Sequence, residues 1–225
     1  MLFGGLQKLT TLDFPGVVSA LVFTQGCNFH CPYCHNAQLI PLQPDENADP
    51  NPQADDILAF LRKRADVLDG LVISGGEPCL HQDIGDFCRE VKRLGYAIKL
   101  DTNGSFPERL ERLLTADCLD YVAVDLKTAP DDYSPALCLD RNAGKKLLQS
   151  LALLAASTIP HEVRTTCVAP FVTPDSVKTM TASCGNRVPW LLQKAFLEEN
   201  TTLQALTGEK MSDLLPIDQR LMLRN

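Results

Sequence analysis

Six short runs of apolar residues recur along the chain, and segments with a helical spacing of apolar positions separate them. Each run is nearly continuous in hydrophobicity, which is typical of strands in a parallel sheet that is buried on both faces. The six predicted strands cover residues 18–24, 71–73, 97–100, 121–126, 162–168 and 188–194.

Three helices are predicted between these strands. The first presents Ile84, Phe87 and Val91 on one face, and Gly95 is placed to end it. Pro107 suits the first turn of the second, and leucines at 147–151 mark the third. Such alternation produces right-handed βαβ units, and six units would only partly close an eight-stranded barrel. The predicted fold is α/β, a single-domain partial (β/α)6 TIM-like barrel with a parallel sheet. A Rossmann-like sheet stays open as the alternative, because periodicity does not distinguish the two.

Two segments do not follow the alternation. Residues 38–53 hold four prolines among polar residues, which predicts a long loop. Residues from Phe196 onward show no clear periodicity. The expected organisation is a core domain over residues 1–195 and a less regular C-terminal extension over residues 196–225.

Composition narrows the class of protein. The chain has 225 residues and a formal net charge of −7, so it lacks the basic field that a nucleic-acid partner would require. No stretch approaches the roughly 20 apolar residues that span a bilayer. The N-terminal residues also lack the pattern of a secretory signal. We therefore expect a cytoplasmic protein with no membrane partner.

Three of the nine cysteines form a C-x3-C-x2-C run directly after the first predicted strand: Cys27, Cys31 and Cys34. Thiolates are soft ligands that suit zinc or an iron–sulfur cluster. A structural zinc site usually takes four ligands, and no second cysteine pair has a suitable spacing. Three thiolates can instead hold three corners of a cubane and leave the fourth iron open. A zinc loop completed by a distant histidine is the alternative, and a disulfide is a weaker one.

The other six cysteines are scattered, and five of them occupy positions typical of small buried hydrophobes. Cys79, beside the Gly75–Gly76 turn, is the exception.

Polar residues also lie at the ends of the other predicted strands. Catalytic groups of βα-barrels gather at the carboxyl ends of the strands, so these side chains are candidates for one site. Taken singly, each has a plainer explanation as a tight turn, a helix cap or a surface ion pair. The candidates are Gly75, Gly76, Glu77, Asp101, Thr102, Asp125, Lys127 and Arg164.

The cysteine run, with an aromatic residue before its third cysteine, resembles the signature of radical S-adenosylmethionine enzymes. The resemblance implies one 4Fe-4S cluster held by Cys27, Cys31 and Cys34, with S-adenosylmethionine chelating the open iron. It also implies that Tyr33 lies beside the adenine. The G-G-E-P segment, Gly75, Gly76 and Glu77 with Pro78, resembles the family's contact for the substrate's amino group.

Further motifs resemble the activating enzymes of glycyl radical enzymes. D-T-N-G and D-L-K imply that Asp101, Thr102, Asp125 and Lys127 serve the carboxylate and ribose of S-adenosylmethionine, some of them through a monovalent cation. The same resemblance covers L-D-F-P-G and R-T-T. It implies that Asp13 and Arg164 receive the glycyl loop of a partner protein.

Over residues 9–193 the chain resembles the anaerobic ribonucleoside-triphosphate reductase activating proteins. This implies that a 5′-deoxyadenosyl radical installs a glycyl radical on that reductase, with flavodoxin or ferredoxin as the electron donor. Three alternatives stay open. They are an activase of another glycyl radical enzyme such as pyruvate formate-lyase, a small-molecule synthase of the 7-carboxy-7-deazaguanine type, and a non-catalytic iron–sulfur or zinc module.

Overall fold

The computed structural model describes residues 1–43, 51–184, 188–197 and 202–224, and these contain nine β-strands and six α-helices. The chain divides into two units. The first unit comprises Met1–Asn28, Asn36–Thr102 and Glu108–Val122, and the second comprises Phe29–His35, Asn103–Pro107 and Ala123–Asn225.

In the first unit the strand order is β1-β2-β3-β4, followed by the first residues of β5. β2, β3 and β4 are parallel, whereas β1 pairs with β2 in the antiparallel direction and lies at the edge. The elements are β1 (Phe3–Thr10), β2 (Ser19–Thr24), α1 (Ala54–Arg62), β3 (Gly70–Gly75), α2 (Ile84–Arg93), β4 (Ala97–Thr102), α3 (Pro107–Thr115) and β5 (Tyr121–Asp125).

A hydrophobic cluster of Phe14, Leu21 and Val72 lies on one face of these strands. Leu21 is in register with Val72, and Val72 is in register with Lys99. The side chains of Leu21, Val72 and Lys99 therefore project from the same face of adjacent strands. Burying a side chain of this size contributes about 1.5–3 kcal/mol. The cluster therefore covers the face of β4 that carries Lys99.

In the second unit the order is β5-β6-β7-β9, and β8 pairs with β6. β6, β7 and β9 are parallel. The indole nitrogen of buried Trp190 donates to Thr165 Oγ1 at 2.9 Å and ties β7 to β6. The elements are α4 (Ala143–Ala156), β6 (His161–Ala169), α5 (Pro174–Ser183), β7 (Trp190–Lys194), β8 (Gln204–Ala205), α6 (Gly208–Ser212) and β9 (Leu221–Arg224).

All six predicted strands are present as β2 to β7, and the three predicted helices are α2, α3 and α4. From β1 to β7 the strand order follows chain order, without the reversal that a Rossmann-like sheet requires. The prediction of an α/β fold with a mostly parallel sheet is confirmed, and the Rossmann alternative is wrong. The division at residue 195 stays a prediction. β9 nevertheless shows that the C-terminal segment adds a strand beside β7.

Part of the predicted loop at residues 38–53 is described. Its start overlaps a short 3-10 turn at Ala37–Leu39, and residues 51–53 are irregular before α1 begins. Residues 44–50 lie outside the described residues. No helix among the described residues is long and apolar enough to cross a membrane.

Candidate active site

Cys27 follows β2 in the first unit, after a turn at Gly26. Gly26 has a φ of +97°, in the left-handed region that favours glycine. The Gly26 N–H donates to Leu39 O at 2.8 Å and the Cys27 N–H to Ile40 O at 3.0 Å. The backbone of Cys27 is thus held by the short turn that follows the cysteine run.

Gly75 and Gly76 allow two strand ends to approach closely. A Cβ on Gly75 would lie 2.4 Å from the backbone nitrogen of Thr24, and one on Gly76 would lie 2.1 Å from the carbonyl oxygen of Gly26. Both contacts are with backbone, which cannot move aside. These two glycines therefore place β3 against the turn that carries Cys27. Their contact with a substrate stays a prediction.

Glu77 is fully buried and joins the ends of β3 and β4. Its Oε1 accepts hydrogen bonds from the Cys79 N–H at 2.8 Å and from Thr102 Oγ1 at 2.7 Å. The Glu77 N–H donates to Gly26 O at 2.8 Å. Glu77 and Thr102, both predicted site residues, thus lie together and brace the turn before Cys27.

Asp101 pairs with a residue that the sequence analysis missed. Lys99 lies two positions earlier on β4, is 0% exposed, and donates from its Nζ to Asp101 Oδ1. The Lys99 ammonium also lies 5.9 Å from the centre of the Tyr121 ring. A lysine flanked by apolar residues, two positions before an aspartate in a strand buried on both faces, is the signal that could have found it.

Asp13 lies in the first unit, after β1. Its Oδ2 accepts a hydrogen bond from Thr10 Oγ1 at 2.6 Å, and the following Phe14 anchors the segment in the hydrophobic cluster. The turn also leaves Leu12 81% exposed. The role of Asp13 toward a partner stays a prediction.

Cys31 and Cys34 lie in the second unit, in one turn in which the Cys34 N–H donates to Cys31 O at 3.0 Å. The His30 N–H donates to Leu137 O at 2.9 Å, and His30 Nε2 lies 3.3 Å from Pro135 O. Burial raises the pKa of the Cys31 thiol, and the nearby Lys127 ammonium opposes that shift. His30 therefore anchors this loop to the segment after β5.

Tyr33 is buried, with its ring centre 5.2 Å from that of Phe171. Its hydroxyl is buried and has no hydrogen-bond partner among the described residues. A buried hydroxyl without a partner is unfavourable, so a polar ligand group at this position would relieve a real cost. Burial also raises the pKa of the Tyr33 hydroxyl, which stays protonated and able to donate.

Asp125 is the centre of a charged cluster in the second unit. Its Oδ2 lies 3.2 Å from Lys127 Nζ, and its Oδ1 accepts from Arg164 Nε at 3.0 Å. Burial alone would raise the pKa of Asp125, but Lys127 and Arg164 outweigh burial and lower it to about 2. The Lys127 N–H also donates to Tyr133 Oη at 2.9 Å.

Arg164 differs from its expected position. The sequence analysis placed it at the end of a strand, whereas it lies within β6, five residues before the strand ends at Ala169. The Leu126 N–H donates to Arg164 O at 2.8 Å, so Arg164 is level with the end of β5 and its side chain reaches Asp125. The second unit thus brings together Cys31, Cys34, Tyr33, Asp125, Lys127 and Arg164. The first unit holds Asp13, Cys27, Gly75, Gly76, Glu77, Asp101 and Thr102.

The nine cysteines separate clearly by exposure. Cys27, Cys31 and Cys34 are partly exposed, and the other six, Cys79 included, are buried. Three partly exposed cysteines in one short run suit a thiolate-bound iron–sulfur cluster, whose donors must reach a group outside the core. The described residues contain no group of three His, Cys, Asp or Glu close enough to hold a single metal ion.

The model of the radical SAM superfamily matches residues 21–182, which include the three cysteines and β2 through most of α5. The match agrees with the fold and the site: the sheet is mostly parallel, and the cysteine run follows its first parallel strand. The chain belongs to the radical SAM superfamily. Membership implies a 4Fe-4S cluster and S-adenosylmethionine.

Two relatives and one solved structure give the comparison more detail. The chain is 34% identical over 181 residues to a putative glycyl-radical enzyme activating enzyme of Methanocaldococcus jannaschii, covering 79% of this chain and 72% of the relative. It is 28% identical over 147 residues to a 7-carboxy-7-deazaguanine synthase of Rhodospirillum rubrum, covering 55% of this chain and 58% of the relative.

The solved structure is a radical SAM methyltransferase from Sphaerobacter thermophilus. Its TM-score is 0.73 at 16% identity, and the likeness covers 96% of this chain and 68% of that one. At this identity the likeness concerns the fold alone. It agrees with an α/β sheet of the partial-barrel type.

Proposed function

We propose that this protein is a radical S-adenosylmethionine activase that installs a glycyl radical on a partner enzyme, with an anaerobic ribonucleoside-triphosphate reductase as the partner. The observation that carries the proposal is the separation of three partly exposed cysteines from six buried ones in a chain of this superfamily. The activating-enzyme relative, with higher identity and coverage than the synthase, supports the choice of activation.

When bound, a 4Fe-4S cluster held by Cys27, Cys31 and Cys34 supplies the electron that splits S-adenosylmethionine into methionine and a 5′-deoxyadenosyl radical. The chain supplies binding, orientation and exclusion of water. Asp125 stays ionised at neutral pH because its pKa is lowered to about 2, so it can accept hydrogen bonds from the substrate's ribose hydroxyl groups. Lys127 offers a positive charge for the substrate's carboxylate.

Tyr33 is assigned to the adenine. Its buried hydroxyl can donate one hydrogen bond, and its ring offers an apolar edge beside Phe171. Gly75 and Gly76 keep the β3 end against the Cys27 turn, and Glu77 holds Thr102 there. We assign these groups of the first unit to the substrate's polar end.

Asp13 and Arg164 are assigned to the partner. We propose that each of them binds the partner's glycyl loop, because a carboxylate and a guanidinium can both hydrogen-bond to peptide groups. Flavodoxin or ferredoxin is the proposed electron donor, and the cytoplasm the proposed compartment.

A small-molecule synthase is the second candidate, because a 7-carboxy-7-deazaguanine synthase is also among the relatives. The two candidates share the cluster and differ in what the radical attacks. They predict different requirements for Asp13, which lies outside the cysteine run and the strand ends.

The deciding experiment incubates the reduced, anaerobically reconstituted protein with S-adenosylmethionine and a purified anaerobic ribonucleotide reductase. Electron paramagnetic resonance then measures the glycyl radical. We expect a radical signal with wild type, and loss of that signal with Asp13→Asn or Arg164→Lys while uncoupled substrate cleavage continues. Lysine keeps the charge of Arg164 and removes its planar fork. Substrate cleavage without any glycyl radical on this or another glycyl radical enzyme would contradict activation and favour the synthase.

A further inference from the structure

Lys99 is a fully buried lysine on β4. Its register partner is Val72, and Val72 is in turn level with Leu21. Phe14 and Tyr121 pack against the same pair of side chains. The stem of Lys99 thus lies among apolar groups, where an ammonium without a partner would be strongly disfavoured.

The ammonium of Lys99 is directed at Asp101. Lys99 Nζ donates to Asp101 Oδ1, and the two residues lie on the same face of β4 because they are two positions apart. The Lys99 side chain is 0% exposed and that of Asp101 is 10% exposed. A ligand arriving at the end of β4 therefore meets the carboxylate first, with the ammonium behind it.

The resemblance to activating enzymes predicts a monovalent cation among the groups that hold the substrate's polar end. Asp101 is one of the predicted residues, and its Oδ1 already contacts a cation that belongs to the chain. A sodium or potassium ion at that oxygen would compete with the buried ammonium at close range, and like charges so near each other in an apolar surrounding repel strongly. The residues at Asp101 thus do not fit an inorganic cation on Oδ1.

We propose that Lys99 is a positioning residue that takes the place of the monovalent cation at Asp101. Its ammonium donates to Asp101 Oδ1 and so fixes the orientation of the carboxylate toward S-adenosylmethionine. The inference rests on the proposed substrate site, and it makes binding of the substrate independent of added sodium or potassium.

The test measures the dissociation constant of S-adenosylmethionine for the reconstituted protein in tetramethylammonium, sodium and potassium chloride at equal ionic strength. Wild type should bind equally in the three salts. Lys99→Met should bind about tenfold more weakly in tetramethylammonium, as expected for loss of one charge-assisted hydrogen bond. Sodium or potassium should restore part of that loss, because the small ion can enter the space beside Asp101. A purely structural role would not respond to the salt.

Lys92→Met is the matched control, since Lys92 also pairs with an aspartate, Asp120 at 2.8 Å, but is 31% exposed. It should bind as wild type does. If Lys99→Met does not fold, Lys99→Met combined with Asp101→Asn removes both charges. This double variant should bind S-adenosylmethionine weakly in all three salts.

Three results would distinguish the proposed role of Lys99 from the proposed function. Wild-type binding that needs sodium or potassium overturns the role of Lys99 and leaves the proposed function intact. Wild-type affinity in Lys99→Met, or in the double variant, overturns it as well. Failure of the wild-type protein to bind or cleave S-adenosylmethionine at all overturns the proposed function, and the role of Lys99 at that site with it.

Discussion

The ends of β4 and β5 each carry an aspartate with a lysine two positions away, yet the two pairs differ in environment. Lys99 precedes Asp101, lies within the body of β4, and is 0% exposed. Lys127 follows Asp125, lies beyond the end of β5, and is 17% exposed. Arg164 adds a second cation to Asp125.

The order of the two residues explains the difference. A lysine before the aspartate is enclosed by the neighbouring strands, so its charge is committed to a single carboxylate. A lysine after the aspartate projects past the strand end, where other polar groups reach it; its electrostatic neighbours include Cys31, Tyr33 and Tyr133. Lys99 and Asp101, the β4 pair, are suited to fixing a carboxylate. Asp125, Lys127 and Arg164, the β5 cluster, are suited to binding charged ligand groups.

The largest expected effect is a difference in unfolding free energy between variants of Lys99 and Lys127. Lys99→Met should lower the free energy of unfolding by about 3–5 kcal/mol, because it leaves the Asp101 carboxylate without its buried ammonium. Lys127→Met should cost about 1–2 kcal/mol, since Arg164 still neutralises Asp125. Urea unfolding measures both.

Lys99→Met with Asp101→Asn is the control for that prediction. Replacing both charges by neutral groups of similar size should recover most of the loss. Equal costs for the two single lysine variants would show that the burial of Lys99 has no energetic consequence, and the comparison would fail.

Acid should affect the β5 cluster next. The pKa of Asp125 is lowered from 3.8 to about 2, so its ionised form stabilises the fold above pH 4 and that contribution disappears as the pH falls toward 2. The contribution is about 1–2 kcal/mol after allowance for a side chain that is one-third exposed. The gap in unfolding free energy between wild type and Asp125→Asn should therefore narrow from pH 5 to pH 3.

Asp175→Asn, at a carboxylate that is 92% exposed, is the control for the acid experiment. If the difference in unfolding free energy between wild type and Asp125→Asn stays constant from pH 5 to pH 3, Lys127 and Arg164 do not stabilise the carboxylate.

The smallest expected effect concerns two tyrosines of the second unit. Tyr133→Phe should cost about 1 kcal/mol, because the Lys127 N–H loses its acceptor. Tyr33→Phe should cost nothing or stabilise slightly in the absence of substrate, since its buried hydroxyl has no partner among the described residues. Thermal unfolding of the two variants measures the difference. A larger loss for Tyr33→Phe would contradict the assignment of its hydroxyl to a ligand.

Sequence predicted the parallel strands because each is a continuous apolar run between clear turn residues. β1, Phe3–Thr10, was missed because two glycines and several polar residues interrupt it, as an edge strand with few buried positions permits. The four residues of β9, Leu221–Arg224, are too short to show a period.

At the site, local motifs predicted residue types that lie close together, such as Glu77 with Thr102 and Asp125 with Lys127 and Arg164. Lys99 was missed because a lysine within a strand is ordinarily taken as solvent-facing, whereas its register with Val72 shows that it is enclosed. Arg164 lies level with the end of β5 although β6 continues to Ala169, and only the register of these two strands shows this.

The most direct test of the central claim is the yield of 5′-deoxyadenosine from S-adenosylmethionine by the reconstituted, reduced protein. Wild type and Cys118→Ala should bind about four irons and form the product. Cys27→Ala, Cys31→Ala and Cys34→Ala should each form none. Product formation by any of these three variants at the wild-type rate, or a wild-type protein that takes up zinc in place of iron and forms no product, would contradict the account.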